Sequence, residues 1–207
     1  MKFHTDVKRL GLLMGLCAVG TMPTWAENFT EDGIVYSLDK STHTASVIGT
    51  ESKDITAAVI KSSVDECEVT SIANDVFENC TSLQSVSIPS SVTTIGDNAF
   101  WGCTTLRSFI VDEANPNYST DGEVLYNKDQ SQLIKVGSNI VNINIPASVK
   151  SIGSFAFSNC QSLTSVNIPS TVTSIADWAF AYCTPLRSVS IPTSVTSIGS
   201  WAFAYCT

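Results

Sequence analysis

The stretch LQSVSIPSSVTTIGDNAFWGC at residues 83–103 decides the fold, because it returns as LTSVNIPSTVTSIADWAFAYC at residues 163–183 and as LRSVSIPTSVTSIGSWAFAYC at residues 186–206. The cysteines that end these stretches belong to a series with spacings of 23, 57, 23 and 23 residues: Cys80, Cys103, Cys160, Cys183 and Cys206. A fixed period of this length marks a repeat protein, in which each unit buries its apolar face only against its neighbours. We therefore expect function to depend on surfaces rather than on an enclosed cleft.

Each repeat unit, or coil, combines two apolar patterns. The pattern Leu-x-x-Val-x-Ile-Pro, as at residues 83–89, predicts a strand, because residues two apart face one side and proline cannot continue the hydrogen-bond ladder. The second half places Ile95, Ala99 and Cys103 at positions i, i+4 and i+8, which predicts one face of a short helix or 3₁₀ turn. The expected architecture is an α/β solenoid, with parallel strands on one face and short helical or 3₁₀ returns on the other.

The sequence resembles the BspA-type leucine-rich repeat family, whose unit has about this length. The resemblance depends on Ile-Pro at residues 88–89, Ile-Gly at 95–96 and Ala-Phe-x-x-Cys at 99–103, and it extends over nearly all of the chain after residue 26. It implies a leucine-rich repeat fold with a small β-meander module at the N-terminus. It also implies an exported surface or secreted protein of a host-associated microbe, as most members of the family are, and some members are adhesins for host matrix proteins.

The chain is predicted to have three parts. These are a signal peptide at residues 1–26, an N-terminal β capping module at 27–68 and a leucine-rich repeat array at 69–207. The one long cysteine spacing, 57 residues instead of 23, indicates an insertion within the array. Short strands with tight turns predict that this insertion, at about residues 110–139, is a β-meander.

The signal peptide is predicted from its order of residue types. Basic residues precede an apolar run that is too short to span a bilayer, and small residues precede the expected cut after Ala26. Lipidation at Cys17 is the less favoured alternative, because Leu16 stands where such sites usually have Gly or Ala. We expect no integral membrane segment once the signal peptide is removed.

The acidic balance of the chain limits its partners. The formal net charge is −8, with 11 basic and 19 acidic residues. Like charges repel, so nucleic acid is not an expected partner. The cysteine series is expected to hold buried free thiols, since parallel side chains on successive coils have the wrong geometry for a disulfide. For Cys67 the sequence leaves both a free thiol and a disulfide open.

No catalytic constellation is visible after residue 26. His43 is the single histidine there and lies in a predicted turn, without a serine or cysteine in a recognisable partner motif. The chain also has no Cys-x-x-Cys pair of the kind that binds zinc. We therefore expect no enzymatic activity, no cofactor and no metal site.

Two surfaces are candidates for partner binding. The first is a ladder of polar side chains on the outward side of the strands, which solenoids commonly use to dock proteins; its residues are Ser87, Arg107, Asn144, Asn167 and Arg187. The alternative is that these groups form an ordinary solvated face. Both interpretations stay open.

The second candidate surface lies on the returns, where aromatic residues fill the position before Ala and the position before Cys toward the C-terminal end. Its residues are Phe155, Trp178, Tyr182, Trp201 and Tyr205. If these rings point outward they form an interaction patch. The alternative is that each ring covers its neighbour from coil to coil and leaves little surface to bind.

The functional prediction is a non-catalytic, adhesin-like binding module, secreted or displayed at the cell surface. Its expected partner is a protein or glycan on a host or neighbouring cell. The alternative is a structural spacer, or a fragment of a longer surface array, without a dedicated ligand. Self-association is a further expectation, because the sequence shows no cap after the coil that ends at Cys206.

Overall fold

The computed structural model describes residues 27–206, which form eighteen β-strands and no helix. The solenoid and its parallel strands are as predicted. The prediction of an α/β solenoid with helical or 3₁₀ returns is wrong, because the returns consist of short strands and turns.

The N-terminal strands form a β-meander that joins the solenoid directly. Strands β1 (Glu27–Glu31), β2 (Ile34–Asp39) and β3 (Thr44–Thr50) are antiparallel. Strand β3 then pairs in parallel with β6 (Cys67–Ile72), which also pairs with β5 (Ser63–Val64). The meander therefore covers the apolar side of the first coil, as solenoids require. The domain boundary at residue 69 stays a prediction.

One face of the solenoid consists of two separate three-stranded parallel sheets. The first contains β4 (Ala57–Val59), β7 (Ser85–Ile88) and β9 (Ser108–Val111), and the second contains β13 (Asn142–Asn144), β15 (Ser165–Asn167) and β17 (Ser188–Ser190). Val166 pairs with Val189, and Ser165 with Ser188. Equivalent residues of successive coils therefore lie in columns.

The opposite face carries the returns. Each begins with a two-residue strand that pairs in parallel with its neighbour; these are β8 (Thr94–Ile95), β14 (Ser151–Ile152), β16 (Ser174–Ile175) and β18 (Ser197–Ile198). Strand β8 pairs with β6 of the coil before it. The strand is followed by turns that lead to the cysteine.

Two left-handed residues in each return exclude a helix. For example, Trp178 has φ of 56° and Tyr182 has φ of 61°. A right-handed helix needs negative φ throughout, so it cannot extend across either position. The equivalent residues of the other coils share this conformation: Asp75, Asn79, Asn98, Gly102, Phe155, Asn159, Trp201 and Tyr205. The periodicity of Ile95, Ala99 and Cys103 therefore has another origin, namely that all three approach the core.

The insertion is a β-meander that lies between two halves of the solenoid. Strands β10 (Tyr118–Thr120), β11 (Val124–Asn127) and β12 (Gln132–Val136) are antiparallel, and β12 pairs in parallel with β14. Successive side chains of a strand point to opposite faces. Leu125 therefore packs into the core of the N-terminal half, whereas Val124 and Tyr126 pack into the core of the C-terminal half.

Both cores repeat the same contacts from coil to coil. Phe157 and Phe180 stack with ring centroids 4.5 Å apart, and Phe77 and Phe100 stack at 5.7 Å. The Cys183 thiol donates to the carbonyl of Phe157 at 3.0 Å. Each such thiol is buried without being left unpaired, because it donates a hydrogen bond to a carbonyl of the previous coil.

Candidate binding surfaces

The polar ladder on the strand face is divided by the insertion. Asn144 and Asn167 are exposed and lie opposite each other on neighbouring strands of the second sheet, and Arg187 is exposed just before β17. Ser87 and Arg107 lie on or beside the first sheet, where the Arg107 guanidinium donates to the side chain of Gln84. The structure therefore brings together three of the five predicted residues and leaves two apart from them.

The first aromatic column contains Phe155, Trp178 and Trp201, stacked in that order. Ring centroids are 6.1 Å apart between Phe155 and Trp178, with planes 5° from parallel. Trp178 and Trp201 are 5.5 Å apart, with planes at 16°. Phe155 and Trp178 are half-buried, whereas Trp201 is 62% exposed. Coil-to-coil stacking and an open aromatic surface therefore occur in the same column.

The second column contains Tyr182 and Tyr205, whose centroids are 4.7 Å apart with planes at 12°. Tyr205 is 55% exposed. All five aromatic residues of the two columns have left-handed backbone, with φ between 56° and 61°. This conformation costs about 1–2 kcal/mol for a residue with a Cβ atom, and an aromatic pair recovers about 0.5–1.5 kcal/mol beyond its buried area.

A groove of about 820 Å³ lies along the returns and was not predicted from the sequence. It begins beside β8, passes the insertion and ends near Gly199. The Trp101 ring, which lines it, meets Phe155 edge-on, with centroids 6.4 Å apart and planes at 66°. The available signal was Trp101 itself, since the equivalent position is Ser158, Ala181 or Ala204 in the later coils.

Lys135 lies under this groove and is 5% exposed. Its ammonium donates to the carbonyls of Phe155 at 3.1 Å and Ser158 at 3.0 Å, and to the Ser158 hydroxyl at 3.2 Å. Burial lowers the pKa of Lys135 because the charged form loses its hydration. The ammonium therefore supports the backbone of the next coil from inside and offers no free charge to a ligand.

The outer face of the coil at residues 188–206 exposes apolar side chains. Ile191, Ile198, Trp201 and Tyr205 are the largest of them. A concavity of about 310 Å³ at the same face reaches the half-buried Phe203 and Cys206. Chemically, this face matches the surfaces that coils bury against one another elsewhere in the array.

The remaining features concern His43, metal ligands and membrane spans. His43 is exposed in the turn between β2 and β3, with φ of 54°. Within residues 27–206, no three His, Cys, Asp or Glu side chains group as metal ligands do. No helix in that part of the chain is long and apolar enough to cross a membrane. The predicted signal peptide lies outside the described residues.

Solved structures of similar fold include bacterial leucine-rich repeat proteins. A leucine-rich cell surface protein from Faecalibacterium prausnitzii is 25% identical, with 86% of this chain and 52% of that chain covered and a TM-score of 0.52. A leucine-rich repeat protein from Eubacterium ventriosum is 22% identical, with 86% and 68% covered and a TM-score of 0.50. The pneumococcal vaccine antigen PcpA is 16% identical, with 86% and 78% covered and a TM-score of 0.51. These likenesses support the fold.

The sequence itself gives the family. No curated protein matches the chain. The profile of the BspA-type leucine-rich repeat region, however, matches residues 56–143 and 135–207 in six copies. Those ranges include every coil of the solenoid and the insertion. The chain therefore belongs to the BspA-type leucine-rich repeat family.

Proposed function

We propose that this chain is a non-catalytic, exported binding module that contacts a protein or glycan on a host or neighbouring cell. The observation that carries the proposal is the set of aromatic residues at left-handed positions, with Trp201 and Tyr205 more than half exposed. The left-handed conformation belongs to every return, so what points to a function is the use of bulky residues at positions where this conformation is costly for them. Earlier coils fill the same positions with Asp75, Asn79 and Asn98, which adopt this conformation at little cost.

The composition of the surface supports a protein or glycan as partner. Aromatic rings on the returns provide apolar contact area with few rotatable bonds, and the strand face on the other side of the solenoid provides Ser and Asn hydrogen-bonding groups. Exposed cations such as Arg107 and Arg187 are outweighed by acidic residues, since the chain has 11 basic and 19 acidic residues. Nucleic acids, whose affinity depends on many cationic contacts, are therefore poor partners. Export is the localisation that fits both the family and the F. prausnitzii surface protein.

A spacer function is the second candidate. It is favoured by the stacking of Phe155 on Trp178, which hides ring surface between coils. The exposed face at Ile191 and Ile198 is then a surface for stacking on further repeats, including those of a second copy of the chain. In this case the aromatic columns stabilise an array and bind no other ligand.

The test compares the double variant Trp178→Ser/Trp201→Ser with a control, Ile48→Ser, which changes an exposed apolar residue of the N-terminal meander. Both are applied to immobilised host matrix proteins and glycans, and circular dichroism checks the fold. We expect the double variant to lose adhesion and the control to retain it. If the double variant adheres as well as the wild type, the aromatic columns are not the binding surface. If the wild type itself does not adhere, the spacer function is favoured. Turnover of a substrate contradicts both functions.

A further inference from the structure

The returns follow a strict hydrogen-bonding rule. Three backbone N–H groups of each coil donate to three carbonyls of the next coil. For example, Trp178 donates to Ser200 at 3.0 Å, and Phe180 donates to Ala202 at 2.7 Å. The third donor of the same coil is Tyr182, which donates at 2.9 Å. The coils at residues 72–80 and 152–160 obey the same rule with their equivalent residues.

The insertion breaks this rule on both of its sides. The N–H groups of Asn98, Phe100 and Gly102 have no acceptor among the described residues. On the far side, the Ser154 carbonyl accepts no hydrogen bond within residues 27–206. Within the described residues these groups lack the partners that their equivalents have in the regular coils, so water or a ligand takes that place.

The other two carbonyls on the far side are satisfied by the insertion. Val136 N–H donates to Ala156 at 2.8 Å, and the Lys135 ammonium donates to Ser158 at 3.0 Å. Of these three carbonyls, that of Ser154 alone lacks a donor within residues 27–206, and the Asn98 N–H is its counterpart in the ladder on the near side. Both of these residues line the groove of about 820 Å³.

The gap arises because the insertion makes a short return. Leu133 pairs with Ile152, and Val136 occupies the ladder position that Phe157 has in the next coil. Val136 comes three residues after Leu133, whereas Phe157 comes five residues after Ile152. The left-handed turn of the other coils is missing. In the next coil this place is filled by the peptide group between Asp177 and Trp178, whose carbonyl accepts from Phe155 at 3.2 Å and whose N–H donates onward. One secondary amide group is thus absent between Asn98 and Ser154.

We propose that this gap binds the acetamido group of an N-acetylated sugar in a glycan. The proposal rests on the binding function proposed above and names the ligand at a new site. The amide carbonyl accepts from the Asn98 N–H, and the amide N–H donates to the Ser154 carbonyl, as the peptide group between Asp177 and Trp178 does in its coil. We call this gap, together with Trp101, Phe155 and Tyr118 around it, the amide slot.

The direction of the groove favours a glycan over a peptide. The groove continues across the coils toward Asp177 and Gly199, so a chain that lies along it can place only a pendant group in the amide slot. The acetamido group of a sugar is a pendant secondary amide, whereas the secondary amides of a peptide lie in its main chain and its pendant amides, on Asn and Gln, are primary. A peptide that followed the coil direction instead would meet Val136, which already occupies the next position of the ladder.

The walls of the groove match a neutral sugar. The Trp101 and Phe155 rings offer apolar contact to the carbon-bound hydrogens of a pyranose, and the side chains of Asp97 and Gln132 make no hydrogen bond within the described residues. Asp97 and Asp177 are the acidic side chains of the groove, and the Lys135 ammonium is enclosed. A negatively charged sugar is therefore disfavoured, since no free cation balances it.

The test uses the full chain and a short oligomer of N-acetylglucosamine, with a glucose oligomer of the same length and linkage as the matched ligand that lacks the acetamido group. Two-dimensional NMR follows the Asn98 amide signal during titration. We expect the N-acetylglucosamine oligomer to bind about tenfold or more tightly than the glucose oligomer and to shift the Asn98 signal downfield, because two hydrogen bonds distinguish them.

A variant with Gly-Asn inserted between Ile134 and Lys135 restores the long return and fills the amide slot. It should lose the preference for the N-acetylated oligomer, whereas the same insertion after the exposed Ser41 should retain it. If the first insertion does not fold, Ser154→Arg blocks the slot from an exposed position. Equal affinity for the two oligomers, no binding of either, or tighter binding of an N-acetylated glycine peptide overturns the proposal. None of these outcomes changes the Trp178 and Trp201 test, so the two proposals fail separately.

Discussion

The N-terminal and C-terminal halves of the solenoid build the same return from different residues. Before the insertion, the two left-handed positions hold Asp75, Asn79, Asn98 and Gly102; after it, they hold Phe155 and Asn159 and then only aromatic residues. Asn, Asp and Gly adopt this conformation at little cost, but bulky residues do not. The stacking of the coils therefore determines the backbone conformation, and the choice of aromatic residues in the C-terminal half is not required for the fold.

The two halves also keep separate cores. The strand sheets, the return sheets and the buried apolar clusters are all interrupted at the insertion. Strand β11 joins them, because Leu125 belongs to one cluster and the adjacent residues Val124 and Tyr126 belong to the other. The insertion is therefore a structural partition, and each half is free to carry its own surface.

The largest effect is expected from two substitutions, each of which opens a cavity in one of the two cores and so tests this partition. Leu125→Ala opens the N-terminal core and Leu133→Ala the C-terminal core, and both leucines are fully buried. Each change should lower the free energy of unfolding by about 2–5 kcal/mol. Hydrogen exchange should then speed up mainly in β7 and β9 for Leu125→Ala, and in β14 and β16 for Leu133→Ala. Uniform acceleration along the whole array in both variants contradicts two separable cores.

Much of this architecture is predictable from the sequence. The cysteine spacing gives the coil length and the position of the insertion, because identical backbone paths need identical numbers of residues. The pattern at residues 83–89 gives the strand and its inward face. The helical return is wrong because the periodicity at Ile95, Ala99 and Cys103 records burial, which turns also produce. Asn98 and Gly102 were the signal for left-handed turns, since these residue types favour them.

The candidate sites are less predictable. The sequence places Trp178 and Trp201 in equivalent positions, and the structure stacks them, because columns follow directly from the repeat. The amide slot depends on a return that is two residues short, and on N–H groups that lose their acceptors across the insertion. Such an absence involves residues as distant as Asn98 and Ser154, and no local pattern indicates it.

An exchange of residue types between the halves should have a smaller effect. Asp75→Trp puts a bulky residue at a left-handed position that has no aromatic neighbour in its column, and should lower the free energy of unfolding by about 1–2 kcal/mol. Trp178→Asn relieves the same strain but loses two ring contacts, so its effect should be about 1 kcal/mol or less. Chemical denaturation measures both. A larger loss in Trp178→Asn than in Asp75→Trp shows that the aromatic column is mainly structural.

The smallest effect is a loss of stability at alkaline pH, which should differ between Cys103 in an inner coil and Cys206 in the coil at residues 188–206. Burial raises the pKa of Cys103 to about 12, and it raises the pKa of the half-buried Cys206 as well. In the unfolded chain these thiols ionise near their ordinary pKa, so the unfolded state releases protons first and stability falls as the pH rises above that value. Between about pH 8 and about pH 9.5 the Cys103 thiol alone should lower the free energy of unfolding by about 1 kcal/mol. Urea denaturation at both pH values should show that Cys103→Ala removes more of this fall than Cys206→Ala. The reverse order indicates that the last coil is covered in solution, because a half-exposed thiol differs less from the unfolded state than a buried one.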